Sequence, residues 1–290
     1  MAKTRQLRLV RERKLADLIA PPLAGAVFEA SGVVADGPYC FVALDNIRRV
    51  LRIGLHLRPG SDAHQWVGTA RHGEGYEAIS HGGGRFLLMI EAMKHPDGTF
   101  KGAIEEYDEG WRLKARRWVD FPFEKRNTGF EGLAAVEFRG EEYLLALCEG
   151  NACRGGRKSK KGGRGRIQVL QRRGKMWHPV ERIKLPRHVK FKDYAGLAFR
   201  SGRLAIVSQE SSRVWVGRLR PGEWTVDGPG QIYDFPRTKK GKKLYCTVEG
   251  ISWASPQTLV AVSDLRKKRH PKRSAKTDQS IHVFSLAGTS

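Results

Sequence analysis

Gly129-Phe130-Glu131-Gly132-Leu133-Ala134 decides the reading of this chain, because variants of it recur. Tyr76-Glu77-Ala78-Ile79-Ser80 comes before it. Tyr194-Ala195-Gly196-Leu197-Ala198 and Val248-Glu249-Gly250-Ile251-Ser252 come after it, and Ala30-Ser31-Gly32-Val33-Val34 is a weaker first copy. The small residues Gly32, Ala78, Gly132, Gly196 and Gly250 lie 46, 54, 64 and 54 residues apart. A repeat of roughly 40 to 50 residues built from strand-like pieces is the mark of a propeller or a similar array.

Each phrase is followed by a short apolar run: Cys40–Leu44, Phe86–Ile90, Tyr143–Leu147, Leu204–Val207 and Leu259–Val262. Runs of about five residues bounded by Gly and polar turns suit strands covered on both faces, and are too short for buried helices. A third, more alternating run follows each (Val50–Ile53, Gly102–Tyr107, Arg166–Leu170, Arg213–Val216, Ser280–Phe284). A fourth appears at Trp66–Val67, Arg117–Phe121, Val180–Lys184 and Gln231–Phe235. Four strands per repeat is the content of a propeller blade. The fifth repeat lacks a fourth strand, and Arg5–Val10 can supply it, which would close the ring and remove an open edge. The expected fold is therefore an all-β propeller, a single domain over 1–290, with five four-stranded blades closed by the N-terminal strand. Six blades, or a short helix over 5–19, are the alternatives.

The formal net charge of +23 is concentrated rather than spread. Seven basic residues and no acid occupy 154–166, five occupy 237–243, and seven occupy 266–276, so these loops hold 19 of the excess charges. Such Gly-rich Lys/Arg runs read as mobile. Strand counting sends all three to one face. Arg154, Lys158, Lys160, Lys161, Lys240, Lys243, Lys267, Lys268 and Arg269 are the candidate anion-binding residues. Their gathering suggests a polyanion partner such as nucleic acid, or an anionic small molecule.

The same counting brings acids to that face. Glu77, Glu131 and Glu249 open first strands, while Asp45, Glu91, Glu149, Glu210 and Asp264 stand just past second strands. Clustered carboxylates raise one another's pKa unless a cation intervenes. Calcium or magnesium takes such oxygens, and Asn46, Asn151 and Gln209 add neutral ones. The candidate metal ligands are Glu77, Glu131, Glu249, Glu149, Glu91 and Asp264. The bland counterpart is that the motif glutamates accept backbone N–H bonds and lock the ring.

Other signals are weaker. Cys148-x4-Cys153 with Cys246 matches no standard zinc spacing, and Cys40 and Cys148 sit in apolar runs, so reduced thiols and a cytoplasmic location are expected. No apolar run approaches the roughly 18 residues of a membrane span, and Met1–Lys14 lacks the apolar stretch of a secretory signal. A monomer without a membrane partner or an organic cofactor is expected. His72 and His81 lie near Glu77 as possible general bases. No phosphate loop, nucleophile elbow or zinc-protease motif is present.

The phrases Gly129–Ala134 and Val248–Ser252, each followed by an apolar strand ending in an acid, resemble blade motifs of bacterial phytase-like and related calcium-binding β-propellers. The resemblance extends over most of residues 28–286 as a pattern. It implies a cation-lined channel and phosphate-ester hydrolysis, with Glu77, Glu131 and Glu249 at the channel-facing position. Ser31 and Ala195 depart from it, as does the lack of a dense Asp/Glu run. Two functions follow: a metal-dependent hydrolase of a phosphorylated or otherwise anionic substrate at the channel mouth, or a non-enzymatic propeller binding a polyanion through its basic loops.

Overall fold

The computed structural model describes residues 4–21, 26–71, 75–126, 128–154 and 162–286, and nearly all of them follow the strand rhythm of the repeats. The N-terminal segment forms β1 (Arg5–Lys14) and a single helical turn, α1 (Leu15–Leu18). The first repeat gives β2 (Ala30–Asp36), β3 (Tyr39–Leu44), β4 (Arg48–Gly54) and β5 (Gln65–Arg71). The second gives β6 (Ala78–Gly82), β7 (Arg85–Lys94), β8 (Phe100–Asp108) and β9 (Leu113–Phe123). The third gives β10 (Phe130–Phe138), β11 (Glu141–Cys148), β12 (Arg166–Arg173) and β13 (Met176–Lys184). The fourth gives β14 (Gly196–Arg200), β15 (Arg203–Ser208), β16 (Arg213–Leu219) and β17 (Val226–Asp234). The last contributes β18 (Val248–Ser255), β19 (Thr258–Ser263) and β20 (Ser280–Leu286).

Within each repeat the strands pair antiparallel in chain order, and β1 pairs antiparallel with β20 from Leu7↔Leu286 to Lys14↔Ser280. That is the pairing expected of the N-terminal strand. The helical alternative survives only as α1, whose Leu15 and Leu18 are buried. Short parallel bridges join outer strands of neighbouring runs, Arg5↔Tyr233 and Gln6↔Asp234 in one case, Met176↔Trp118 and Trp177↔Val119 in the other.

Apolar residues on both faces of the strands make separate packing layers between consecutive runs. Phe41, Phe86 and Tyr107 lie between the first and second. Leu87, Leu144 and Trp177 lie between the second and third. Leu147, Ile206 and Trp215 follow, then Val207, Phe235 and Trp253. The remaining layer joins the last run to the first through Val260, Ile281, Val42 and Leu51. The chain is thus all-β, with a propeller-like stacking of sheets.

The small residues of the recurring phrase sit where first strands meet. A Cβ on Gly132 would fall 2.7 Å from the Leu197 nitrogen, and one on Gly250 would fall 2.8 Å from the Val33 nitrogen. Only glycine permits backbones to approach so closely. Serine hydroxyls add rungs: Ala135 N–H donates to Ser80 Oγ at 2.8 Å, and Ala35 N–H to Ser252 Oγ at 3.0 Å. The far halves of β2, β6, β10, β14 and β18 surround one cavity of about 140 Å³.

Candidate active site

The recurring glutamate owes its orientation to a bulge. Phe130 pairs with Cys148 and Gly132 with Leu147, so Glu131 is the extra residue of its strand. Glu249 is extra between Val248 and Gly250, and Ser31 between Ala30 and Gly32. In the second run, Glu77 N–H bonds Met89 O at 2.9 Å although Ala78 already faces Met89. A bulge leaves its extra residue outside the ladder and re-aims the side chain. The equivalent positions Ser31, Glu77, Glu131, Ala195 and Glu249 make a first tier.

A second tier follows: Asp45, Glu149, Gln209 and Asp264 come just after second strands, and Glu91 lies within β7 where its register shifts between Ile90 and Met93. In the fourth run the equivalent position is Gln209, one residue before the expected Glu210. Glu210 is exposed, with its backbone N–H bonded to Asp193. Gln209 donates through Nε2 to Glu249 Oε1, which links the tiers.

These carboxyls act on one another. Burial, then Glu77, Glu149 and Glu249, push Glu131 well above the usual carboxylate range. Burial and Asp264 do the same to Glu249, partly offset by Lys267. Burial and Glu91 push Glu77 up to about 8, and burial, Asp264 and Glu29 push Asp45 up to about 7. Glu91 and Glu149 are also raised, first by burial and then by Glu149 and Asp193 respectively. Opposing charge comes from Lys267, whose ammonium stands 3.2 Å from Asp264. Arg269 lowers Glu149 in turn.

The expected metal ligands feel one another's charge, yet among the described residues no three His, Cys, Asp or Glu side chains group closely enough to hold a metal ion. One of the neutral oxygens expected to assist, that of Asn151, is engaged elsewhere, and Asn46 is held by a bond through its amide nitrogen. Asn151 is buried, accepting from Tyr194 Oη at 3.0 Å and Arg164 N–H at 2.9 Å, and Asn46 donates to Val27 O at 3.0 Å.

Cys148 and Cys153 form a disulfide, which corrects the expectation of reduced thiols and removes both from any metal site with Cys246. The physical reason is the turn between them. Ala152 and Cys153 adopt φ of 61° and 54°, folding the chain back until the two Cα atoms are 5.1 Å apart. The bond anchors the segment that carries Glu149.

His81 is not near the acids. It lines the far cavity, bonds Glu109 at 2.7 Å and stacks on Phe86 at 4.5 Å. His72 lies outside the described residues, as do Lys158, Lys160 and Lys161. Arg154, Lys240, Lys268 and Arg269 are exposed, and Lys243 is half-buried, donating to Glu210 O at 2.8 Å. Loops 237–243 and 266–276 adjoin through Arg273 Nε to Lys243 O at 2.7 Å, and a short 3-10 turn spans Lys272–Lys276.

One constellation that the sequence did not suggest has the look of a catalytic triad. Ser263 Oγ and His282 Nε2 are 2.7 Å apart, and His282 Nδ1 and Glu12 Oε2 are 2.8 Å apart. Ser263 and His282 have no solvent-accessible surface, so no substrate reaches them. The three side chains instead tie β19, β20 and β1 together.

No family model matches the chain, and no curated protein matches it in sequence. Among solved structures, the glutaminyl cyclase of Myxococcus xanthus matches with a TM-score of 0.59 over 98% of this chain and 99% of that one, at 11% identity. A GH43_1 enzyme of Xanthomonas citri matches with a TM-score of 0.54 over 94% and 92%, at 15% identity. These neighbours are β-propeller enzymes. At such identities the likeness establishes the fold alone.

Proposed function

We propose that the chain is a five-bladed propeller whose last blade is completed by β1, and that its acidic mouth is the active site of a hydrolase for a phosphorylated or otherwise anionic substrate. What supports this reading is the two-tier set of carboxyls that raise one another. Near neutral pH, Asp45 and Glu77 titrate beside groups of their own kind. A protonated carboxyl next to an ionised one supplies a general acid and a general base together. The ionised member would take a proton from water, and the protonated member would give one to the leaving oxygen. Lys267 and Arg269 would hold anionic oxygens of the substrate through charge-assisted hydrogen bonds.

A calcium or magnesium ion belongs to the proposal on charge grounds, since it would relieve the same repulsion. The side chains as they stand do not form a three-ligand set, so no step depends on it. The test is turnover of chromogenic phosphomonoesters and phosphodiesters, with and without calcium or chelator. Glu131→Gln is expected to lose at least about a hundredfold in kcat while staying folded. Wild-type turnover in that variant, or none in the native protein under any of these conditions, would remove the hydrolase reading. A second reading, polyanion binding beside the mouth, is favoured by the joining of loops 237–243 and 266–276 into one basic edge.

A further inference from the structure

We propose that a basic cleft at one end of the third run binds the phosphodiester backbone of a single-stranded nucleic acid. This does not rest on the hydrolase reading. The cleft, of about 610 Å³, is formed by segments 162–166 and 184–190, and its lining includes Arg164, Arg166, Lys184, Arg187 and Lys190 but, among the described residues, no carboxylate.

The two segments extend the β12–β13 ladder, in which Arg166 faces Lys184, and glycine keeps their extensions close. Gly163 has φ of +81°, and a Cβ there would fall 2.5 Å from the Arg187 carbonyl oxygen. At Gly162 it would fall 3.2 Å from Lys190 Cα. Larger residues would hold the two basic segments apart. The fold therefore draws like charges together, which raises the free energy of the empty cleft and favours a ligand that brings negative charge. Arg166 feels this most. Its half-buried guanidinium donates to Gly165 O at 2.7 Å, and burial together with Arg182 and Arg164 holds it below the usual arginine range.

Five cations along two segments exceed what one phosphate group engages and suit a chain of phosphates. A second groove of about 700 Å³ shares Lys184 with the cleft and is lined by Trp224, Pro186 and Val226. Trp224 is half-buried, stacked on Phe138 at 4.2 Å, and lines the groove. An aromatic face beside a cationic track is how unpaired bases are held. Glu181 and Glu223 also line this groove. They repel phosphates, which assigns the backbone to the cleft and the bases to the Trp224 side.

The experiment is fluorescence anisotropy with a labelled strand of about 15 nucleotides of mixed sequence, titrated at several salt concentrations. Arg187→Gln with Lys190→Gln tests the cleft. Arg173→Gln with Lys175→Gln removes the same charge at the opposite end of the third run, and all four residues are exposed. The cleft variant is expected to lose about tenfold or more in affinity at low salt and about 1.4 in salt slope, roughly 0.7 per lost contact. The control should match the native protein. Trp224→Leu should weaken binding without changing the slope, and Lys184→Glu should repeat the cleft result. Equal binding by cleft and control variants overturns the proposal. So does a duplex of the same sequence binding as tightly as the strand. Displacement of the strand by equimolar pyrophosphate, lost in the cleft variant, would make this a small-phosphate site and equally overturn it.

Discussion

Replacing Glu77 by glutamine should make the protein more stable at neutral and alkaline pH. The side chain keeps its shape and loses a charge that its surroundings disfavour. Burial and Glu91 push its carboxyl up to about 8 from an ordinary value of 4.5. The folded state therefore binds a proton that the unfolded state releases, and stability declines as pH rises from 4.5 toward 8. At pH 7 the cost of this one group is about 3 kcal/mol, an upper value because its neighbours share the shift. For a chain of 290 residues that corresponds to a Tm about 5 °C higher in the variant. Scanning calorimetry from pH 4 to 8.5 is the assay. The two proteins should melt together at the acid end, where both states are protonated, and diverge as pH rises. A lower Tm for Glu77→Gln at pH 8, with the native pH slope retained, would refute the reasoning. The glutamate would then be a hydrogen-bond acceptor that locks the ring.

Three further outcomes are expected. Glu12→Gln should cost about 1 to 3 kcal/mol and speed amide exchange in β1 and β20 before other strands. Burial raises Glu12, but the His282 and Tyr245 hydrogen bonds prevail and lower it, so its contribution is present above pH 4.5 and fades as pH falls through the lowered value. Gly250→Ala should cost about 1 to 3 kcal/mol in urea melts, because its Cβ would lie 2.7 Å from Val262 Cγ2 and 2.8 Å from the Val33 nitrogen; an unchanged midpoint would show that β18 and β2 do not meet as described. Adding a reductant should lower Tm by about 3 °C, since a disulfide across a separation of five residues stabilises by about 2 kcal/mol.

The all-β, propeller-like fold was legible because short apolar runs and small residues recur with the phrase around Glu131. The equivalence of the acids was legible for the same reason: a repeated register puts Asp45, Glu91, Glu149 and Asp264 at corresponding points of their runs. Counting failed by one at Gln209, where two polar residues follow the strand and only backbone geometry decides which faces inward. The rest depends on contacts without a local signal. Glu12 and His282 meet across 270 residues. Cys153 reaches Cys148 only through a left-handed backbone at Ala152. The basic cleft continues the β12–β13 ladder past Arg166↔Lys184, and Gly162 and Gly163 keep its two sides close; composition registers the charges but not that closeness.

The pairing of β1 with β20 sets an order of events during synthesis. β1 emerges about 270 residues before its partner, so it waits roughly 15 to 50 s at cellular rates. Through that interval it is a strand with two open edges, the kind of segment that pairs with other chains. Its composition answers the hazard: Arg5, Arg8, Arg11, Arg13 and Lys14 place a cation at nearly every second or third position. Charges spaced along an unpaired strand deter aggregation. The basic character of β1 is thus a safeguard for the nascent chain, needed until Ser280–Leu286 arrives to pair with it.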